Sequence, residues 1–314
     1  MGTDRHPVTH QLDSAQVHKV WDNSIEPRLW IDSGDSITVE VRGGGDGAFT
    51  PHSTAEDVVQ HPFLGHALIG PIGVHGARPG SVLQVDMLAL ETWTWGYTLI
   101  APGRGLLVAD FPTAFFQPWD LADRLDAAMR PGAVIPLAPF FGVLGVAPAE
   151  MGQHSTSPPR RVGGNLDVKQ LTVGSTLWLP LEVDGGTFSV GDAHAAQGDG
   201  EVCVTAIETG MTAVLRLTLR SDMHLSAPQF RTVGPESDPA TRGPWHGTVG
   251  VGPNLMTGAQ GAVRAMIDFL MKENGLSAEQ AYVLCSVACD LKISQVVNAP
   301  NWTVSALLPL SIFR

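Results

Sequence analysis

Cysteine is rare in this chain. Cys203, Cys285 and Cys289 are its three, among 314 residues. An odd and small number gives no disulfide framework. Basic side chains are also few: 19 Lys and Arg stand against 31 Asp and Glu, for a net charge of -12. Nucleic acid and anionic membrane surfaces both call for a basic face, so neither is expected as a partner. No apolar run approaches the ~18 residues that a membrane-spanning helix needs. The opening MGTDRHPVTHQLDSAQ has no apolar core of the kind a signal peptide carries. A soluble, cytoplasmic protein is the expectation. The familiar motifs are missing as well. There is no G-x-x-x-x-G-K-[ST], no G-x-G-x-x-G between a strand and a helix, no G-x-S-x-G, no HExxH and no paired CxxC.

What the chain does have is glycine and proline, 35 and 23 of them, and a hydrophobic content of 44%, enough for a sizeable core. Short alternating runs recur between turns. Ile37, Val39 and Val41 form one, Val82 to Leu88 another, and Phe140 to Pro148, Leu177 to Val183, Val202 to Ile207 and 213–219 follow. That rhythm predicts a mainly β fold, a jelly-roll-like β-sandwich, over βαβ units. A short helix is predicted around Trp119 to Met129. Near the C-terminus the period changes. Val263, Met266, Ile267, Leu270 and Met271 fall at helical spacing, and a second helix follows over 278–290. A smaller α+β part with a helix pair at about 257–290 is therefore expected. The chain divides into β-rich parts at 1–160 and 161–314 that form one compact unit. The glycine-rich stretch 42–60 reads as a loop that is mobile or covers something.

Polar residues are sparse, with 16% of the chain charged, so polar clusters carry information. The densest is Val190 to Glu201, which packs three carboxylates, an imidazole and an amide between apolar flanks. Others are Trp21 to Ser24, His61-Pro62, and Gly163 to Asp167. On an extended strand Asn165 and Asp167 project to one side, as do Asp192 and His194. Two such pairs on neighbouring strands bring four oxygen and nitrogen donors to one point. A divalent ion there would lower the pKa of bound water, and Glu201 or Asp199 could carry the proton. The bland alternative stays open: Gly/Asp/His turns often serve only as turns, with Asn165 and Asp167 capping backbone amides.

Several of these segments resemble the acetamidase/formamidase family. They are Trp21 to Pro27, Gly70-Pro71-Ile72 with Gly76 to Gly80, Gly145 to Pro148, Gly163 to Asp167, Phe188 to Glu201, Leu276 to Ala288, and Ile293 to Asn298. The resemblance runs in consistent order from about residue 17 to 311. It implies a β-sandwich-rich fold, hydrolysis of a short amide to a carboxylate and ammonia, homo-oligomers, and zinc or calcium as the metal. Asp167, Asp192 and His194 are then the candidate metal ligands, and His61, which the Pro after it holds extended, is a further candidate on its own local reading. Glu201, Asp192 and His194 are the candidate catalytic groups, and Trp21, Asn23, Gly164 and Asn165 the candidate substrate contacts. Gly73, His75 and the segment 42–60 depart from the family pattern and are expected at the pocket mouth. A lactamase using the same site is the nearest alternative, and a non-catalytic metal-binding β-sandwich the more distant one.

Overall fold

The computed structural model describes residues 7–129, 133–233 and 244–313. Its frame is a sheet of 16 strands, mostly antiparallel and curled on itself, that takes strands from both halves of the chain. The protein is mainly β, as its short alternating runs imply. The two longest strands, Val82–Ile100 and Glu208–Arg220, pair antiparallel along most of their length. Their register shifts between Thr209 and Met211 and between Val214 and Leu215, and such bulges bend a sheet out of plane. The concave face encloses one continuous apolar core that includes Ile37, Val39, Val85, Met87, Phe188, Val190 and Leu215, all buried. Period-two alternation produces this directly. In Ser36–Val41 it is Ile37, Val39 and Val41 that point inward.

The C-terminal helices appear where the period predicted them. Helix α2 spans Leu255–Asn274 and α3 spans Ala278–Ala288, after a short α1 at Ala55–Gln60. Asn254 caps α2, its side chain accepting from Thr257 N–H at 2.8 Å, and Gly275 ends it in the left-handed conformation at φ 65°. Met266 and Leu270 bury against Ala306 and Leu308 of the strand Trp302–Pro309. None of the described helices is long and apolar enough to cross a membrane.

Three local expectations fail. The helix around Trp119 to Met129 is instead two strands, Phe115–Asp120 and Asp126–Met129. Asp120 and Asp123 accept the N–H groups of Ala122 and Leu125 and turn the chain, and Phe115–Asp120 pairs with Trp95–Ile100. The strand from Val202 to Ile207 is a loop, because Glu201 and Val204 take left-handed φ values of 49° and 77°. The stretch 42–60 is not wholly irregular, since it holds α1, which Thr54 opens by donating its N–H to Asp57 Oδ2 at 2.7 Å.

Candidate active site

Three neighbouring strands supply the site. In Phe188–His194, Phe140–Val146 and Glu208–Arg220, the register sets His194 opposite both Phe140 and Glu208. Asp192 and His194 lie two apart in one strand, so both face the same way. Asp167 arrives differently from expectation. The strand Gly163–Asn165 stops two residues earlier, and Asp167 reaches the site through a left-handed turn at φ 52°. Asp192 and Glu201 are also left-handed, at 58° and 49°. That backbone region is uncommon for residues other than glycine, and where it persists the surrounding structure holds it, often at functional sites.

The result is a buried knot of one imidazole and four carboxylates: Asp167, Asp192, His194, Glu201 and Glu208. Their donor atoms form two overlapping groups that share His194. One is Asp167, His194 and Glu201; the other is Asp192, His194 and Glu208, and within each group all atoms lie within 4.8 Å of one another. Gly142 makes the convergence possible. A Cβ there would sit 2.6 Å from Asp192 Oδ2, 2.7 Å from His194 Cε1 and 2.8 Å from Asp167 Oδ1. Gly44 does the same from the opposite side, where a Cβ would lie 2.6 Å from both Asp192 Oδ1 and Glu208 Oε2. The glycine-rich loop thus closes over the carboxylates.

Charge in this knot is out of balance. His194 Nε2 lies 3.2 Å from Glu208 Oε1 and 3.4 Å from Asp192 Oδ2. Both are close enough for charge pairing but too poorly directed for a hydrogen bond. Burial alone would push the His194 pKa down, yet Glu208 and Asp192 outweigh it and hold it well above the usual imidazole value. Burial would raise Asp192 too, but His66 and His194 keep it ionised, well below the usual carboxylate range. Asp167 and Glu201 go the other way, pushed well up by burial and by the carboxylates around them. Burial also raises Glu208, although His194 opposes it. Carboxylates crowded this closely in a buried site resist ionising together.

A divalent cation fits this set. Asp167 Oδ1, Glu208 Oε2 and both ring nitrogens of His194 are buried without a hydrogen-bond partner, and buried polar atoms in a folded protein are normally satisfied. Carboxylates with an imidazole are the donors of a hard or borderline ion. A supporting contact is also present: Asn298 Nδ2 donates to the other Asp167 oxygen at 3.0 Å.

The knot forms the inner end of a cavity of about 860 Å³, where Asp192, Glu201, Glu208 and Asn165 line it. Phe49, Val58, Phe63 and Leu99 give the cavity apolar walls, and Tyr97 lines it from the strand position opposite Glu208. The other residues singled out in the sequence sit as follows. His61 is exposed at the mouth, edge-on to Phe49 at 5.9 Å, and belongs to neither donor group. Trp21 is buried beside Gly164 and His18, outside the lining. Asn23 donates to the carbonyls of Pro148 and Ala149 at 3.0 and 3.1 Å and holds a surface turn. Gly73 and His75 pack on Trp30, not at the mouth, whereas 44–49 and Val58 do line the cavity. Glu208, His66, Gly142, Asn298 and Arg104 were not legible as site residues. The one sequence signal for Glu208 is an acid heading a long apolar strand.

The acetamidase/formamidase family model matches residues 4–154 and 149–314, which is nearly the whole sequence. The chain belongs to the acetamidase/formamidase family. The formamidase of Methylophilus methylotrophus is 26% identical to it, over 95% of this chain and 90% of that one. The crystal structure of an acetamidase from Bacillus halodurans superposes with a TM-score of 0.87 at 29% identity, covering 96% of this chain and 98% of that one. A gamma lactamase from Delftia acidovorans superposes at 0.67 with 27% identity, over 98% and 93%. The acetamidase/formamidase fold is therefore shared along the full length of this chain.

Proposed function

We propose that this protein is an amidase that hydrolyses a carboxamide to a carboxylate and ammonia. In this reading Asp192, His194 and Glu208 hold a divalent ion, with the unpartnered Oδ1 of Asp167 as a further donor. Zinc suits the set better than calcium, which takes oxygen ligands alone. When bound, such an ion polarises the amide carbonyl and makes water acidic enough to lose a proton near neutrality. The observation that carries the reading is the pair of donor groups sharing His194 at the inner end of a cavity, in a chain of this family.

Glu201 is the proton carrier. Burial and the neighbouring Asp167 raise its carboxyl pKa, which matches it better to a proton transfer near pH 7 than an ordinary glutamate. It takes a proton from the attacking water as the water oxygen bonds to the carbonyl carbon. It returns that proton to the amide nitrogen as the C–N bond breaks, so ammonia leaves and the carboxylate remains. Asn298 keeps Asp167 in place throughout.

Ring opening of a lactam is a second reading, favoured by the full-length likeness to a lactamase. The chemistry is the same, but the nitrogen stays attached and no ammonia appears. The test is ammonia release from linear amides beside amine formation from lactams, each with and without a chelator. Activity that survives complete removal of metal would overturn the metal assignment. Turnover of lactams alone would replace the first reading with the second.

A further inference from the structure

The cavity holds an imidazole that neither donor group includes. His66 lines it and is buried. It stands two residues ahead of the strand Leu68–Val74. That strand pairs antiparallel with Phe188–His194, Leu68 opposite Gly191, so the chain leading into it runs beside Asp192. Gly191 allows the approach, since a Cβ there would lie 2.6 Å from Ala67 O. Phe63 packs edge-on against the imidazole with ring centroids 4.8 Å apart.

The proton of this ring can be placed. Thr156 is fully buried. Its Oγ1 accepts the backbone N–H of His66 at 2.8 Å and lies 3.2 Å from the ring Nδ1. Gly65 makes room for that contact: its φ is 102°, and a Cβ there would lie 3.2 Å from Thr156 Oγ1. A hydroxyl has one proton to give, and among the described residues Nδ1 is its one acceptor. A proton on Nδ1 would set two donors face to face and strand the hydroxyl proton in the interior. Nδ1 is therefore the acceptor, and the ring N–H is at Nε2.

That N–H has no hydrogen-bond acceptor among the described residues. Asp192 Oδ2 lies 3.5 Å away, beyond the roughly 2.7–3.2 Å of an N–H···O bond. A buried donor left so calls for a partner, and this one opens on the cavity beside a carboxylate of the site. We propose that His66 is a catalytic residue whose Nε2–H donates to the amide carbonyl oxygen as that oxygen becomes the oxyanion of the tetrahedral intermediate. Thr156 is the positioning residue that holds the ring in the tautomer able to do so. As the water oxygen bonds to the carbonyl carbon, the C=O π pair moves onto the carbonyl oxygen, and its new charge meets the N–H. The pair returns to the C–O bond as the C–N bond breaks. The Nε2 proton never transfers, so Glu201 stays the proton carrier. A donor fixed in advance stabilises developing charge with little reorganisation. This rests on the amidase reading above and adds a residue to it.

Two measurements test it. The ¹⁵N shifts of the His66 imidazole in the intact protein should report the proton on Nε2, and a proton on Nδ1 would overturn the inference without any assay. Ammonia release from formamide, acetamide and benzamide is then followed in the zinc-loaded protein and in His66→Leu and His66→Gln. His66→Leu should lose about 10²–10³ in kcat, with KM and zinc content nearly unchanged. His66→Gln, whose terminal amide can bring an N–H to the same place, should recover part of that loss and covers the case that His66→Leu does not fold. Unchanged kcat in both variants would overturn the inference and leave the amidase reading standing. Loss of zinc in step with activity would also overturn it, making His66 a support for Asp192. No ammonia from any amide with the unaltered protein would end the amidase reading and this role with it.

Discussion

Glu208 stands directly across the antiparallel register from His194, and its Oε1 lies 3.2 Å from the imidazole Nε2. A strand pairing thus creates the closest charge contact of the site from two residues fourteen positions apart in sequence. Glu208 Oε1 is also held by the N–H of Ala206 at 3.1 Å, while Oε2 has no partner. One oxygen is anchored and the other is free to bind. Replacing Glu208 by Gln should weaken zinc binding by at least roughly 10–100-fold, the range seen even for groups outside the ligand shell. Metal content after dialysis, with circular dichroism to show that the fold persists, checks this.

Glu201→Gln should behave differently from Glu208→Gln. If Glu201 carries the proton, the variant keeps its metal and loses roughly 10²–10⁴ in kcat. Equal loss of metal in both variants would make Glu201 a ligand and leave the proton carrier unassigned. His194 belongs to both donor groups, so His194→Ala should abolish metal binding and activity together.

Loading the metal should release protons. His194, Asp167, Glu201 and Glu208 all have raised pKa values, so some of these groups are protonated near pH 7. A cation must displace such protons to bind. Calorimetric titration of metal-free protein with zinc, in two buffers of different ionisation enthalpy, should show at least about one proton released per site. Zero release would mean that the knot ionises on its own.

Gly142 and Gly198 offer a matched pair. A Cβ at Gly142 would lie 2.6 to 2.8 Å from three site side chains, while one at Gly198 meets nothing within 4 Å. Gly142→Ala should therefore cost most of the activity by displacing Asp192, His194 or Asp167. Misplacement of reacting groups by about 1 Å can cost about 10²-fold. Gly198→Ala should stay near wild type. Comparable activity in the two would mean that the side chains adjust without functional cost.

His246 makes stability depend on pH away from the site. It is buried, stacked on Phe269 of α2 at 3.5 Å, and hydrogen-bonded to Gln229 Oε1 at 3.1 Å. Burial pushes its pKa down to about 3, against about 6.5 in the unfolded chain. Between these values the unfolded chain binds a proton that the folded one refuses. Stability from this residue is therefore complete above about pH 6.5 and falls as pH drops toward 3. At pH 5 the loss is about 2 kcal/mol. Urea unfolding at pH 7 and pH 5 should show a fall smaller by about that amount in His246→Phe. An equal fall in both proteins would place the acid sensitivity elsewhere.

Much of this protein was legible along the chain. Period-two runs such as Ile37, Val39 and Val41 marked the strands, and the helical spacing of Met266 and Leu270 marked α2, because burial on one face writes its period into the local sequence. The density of acids from Asp192 to Glu201 in a weakly charged chain marked the candidate site, since buried charge is costly. What the sequence could not contain was which segments meet. That Glu208 faces His194, that Asp167 turns in through a left-handed residue, and that Gly142 leaves room for three side chains are products of register and close packing between distant segments. Trp119 to Met129 shows the same limit in reverse, since pairing with Trp95–Ile100 overrode a local helical pattern. Local chemistry determined the elements and the donor inventory. Tertiary pairing alone decided which donors share His194, because strand register and close packing join segments far apart in the chain.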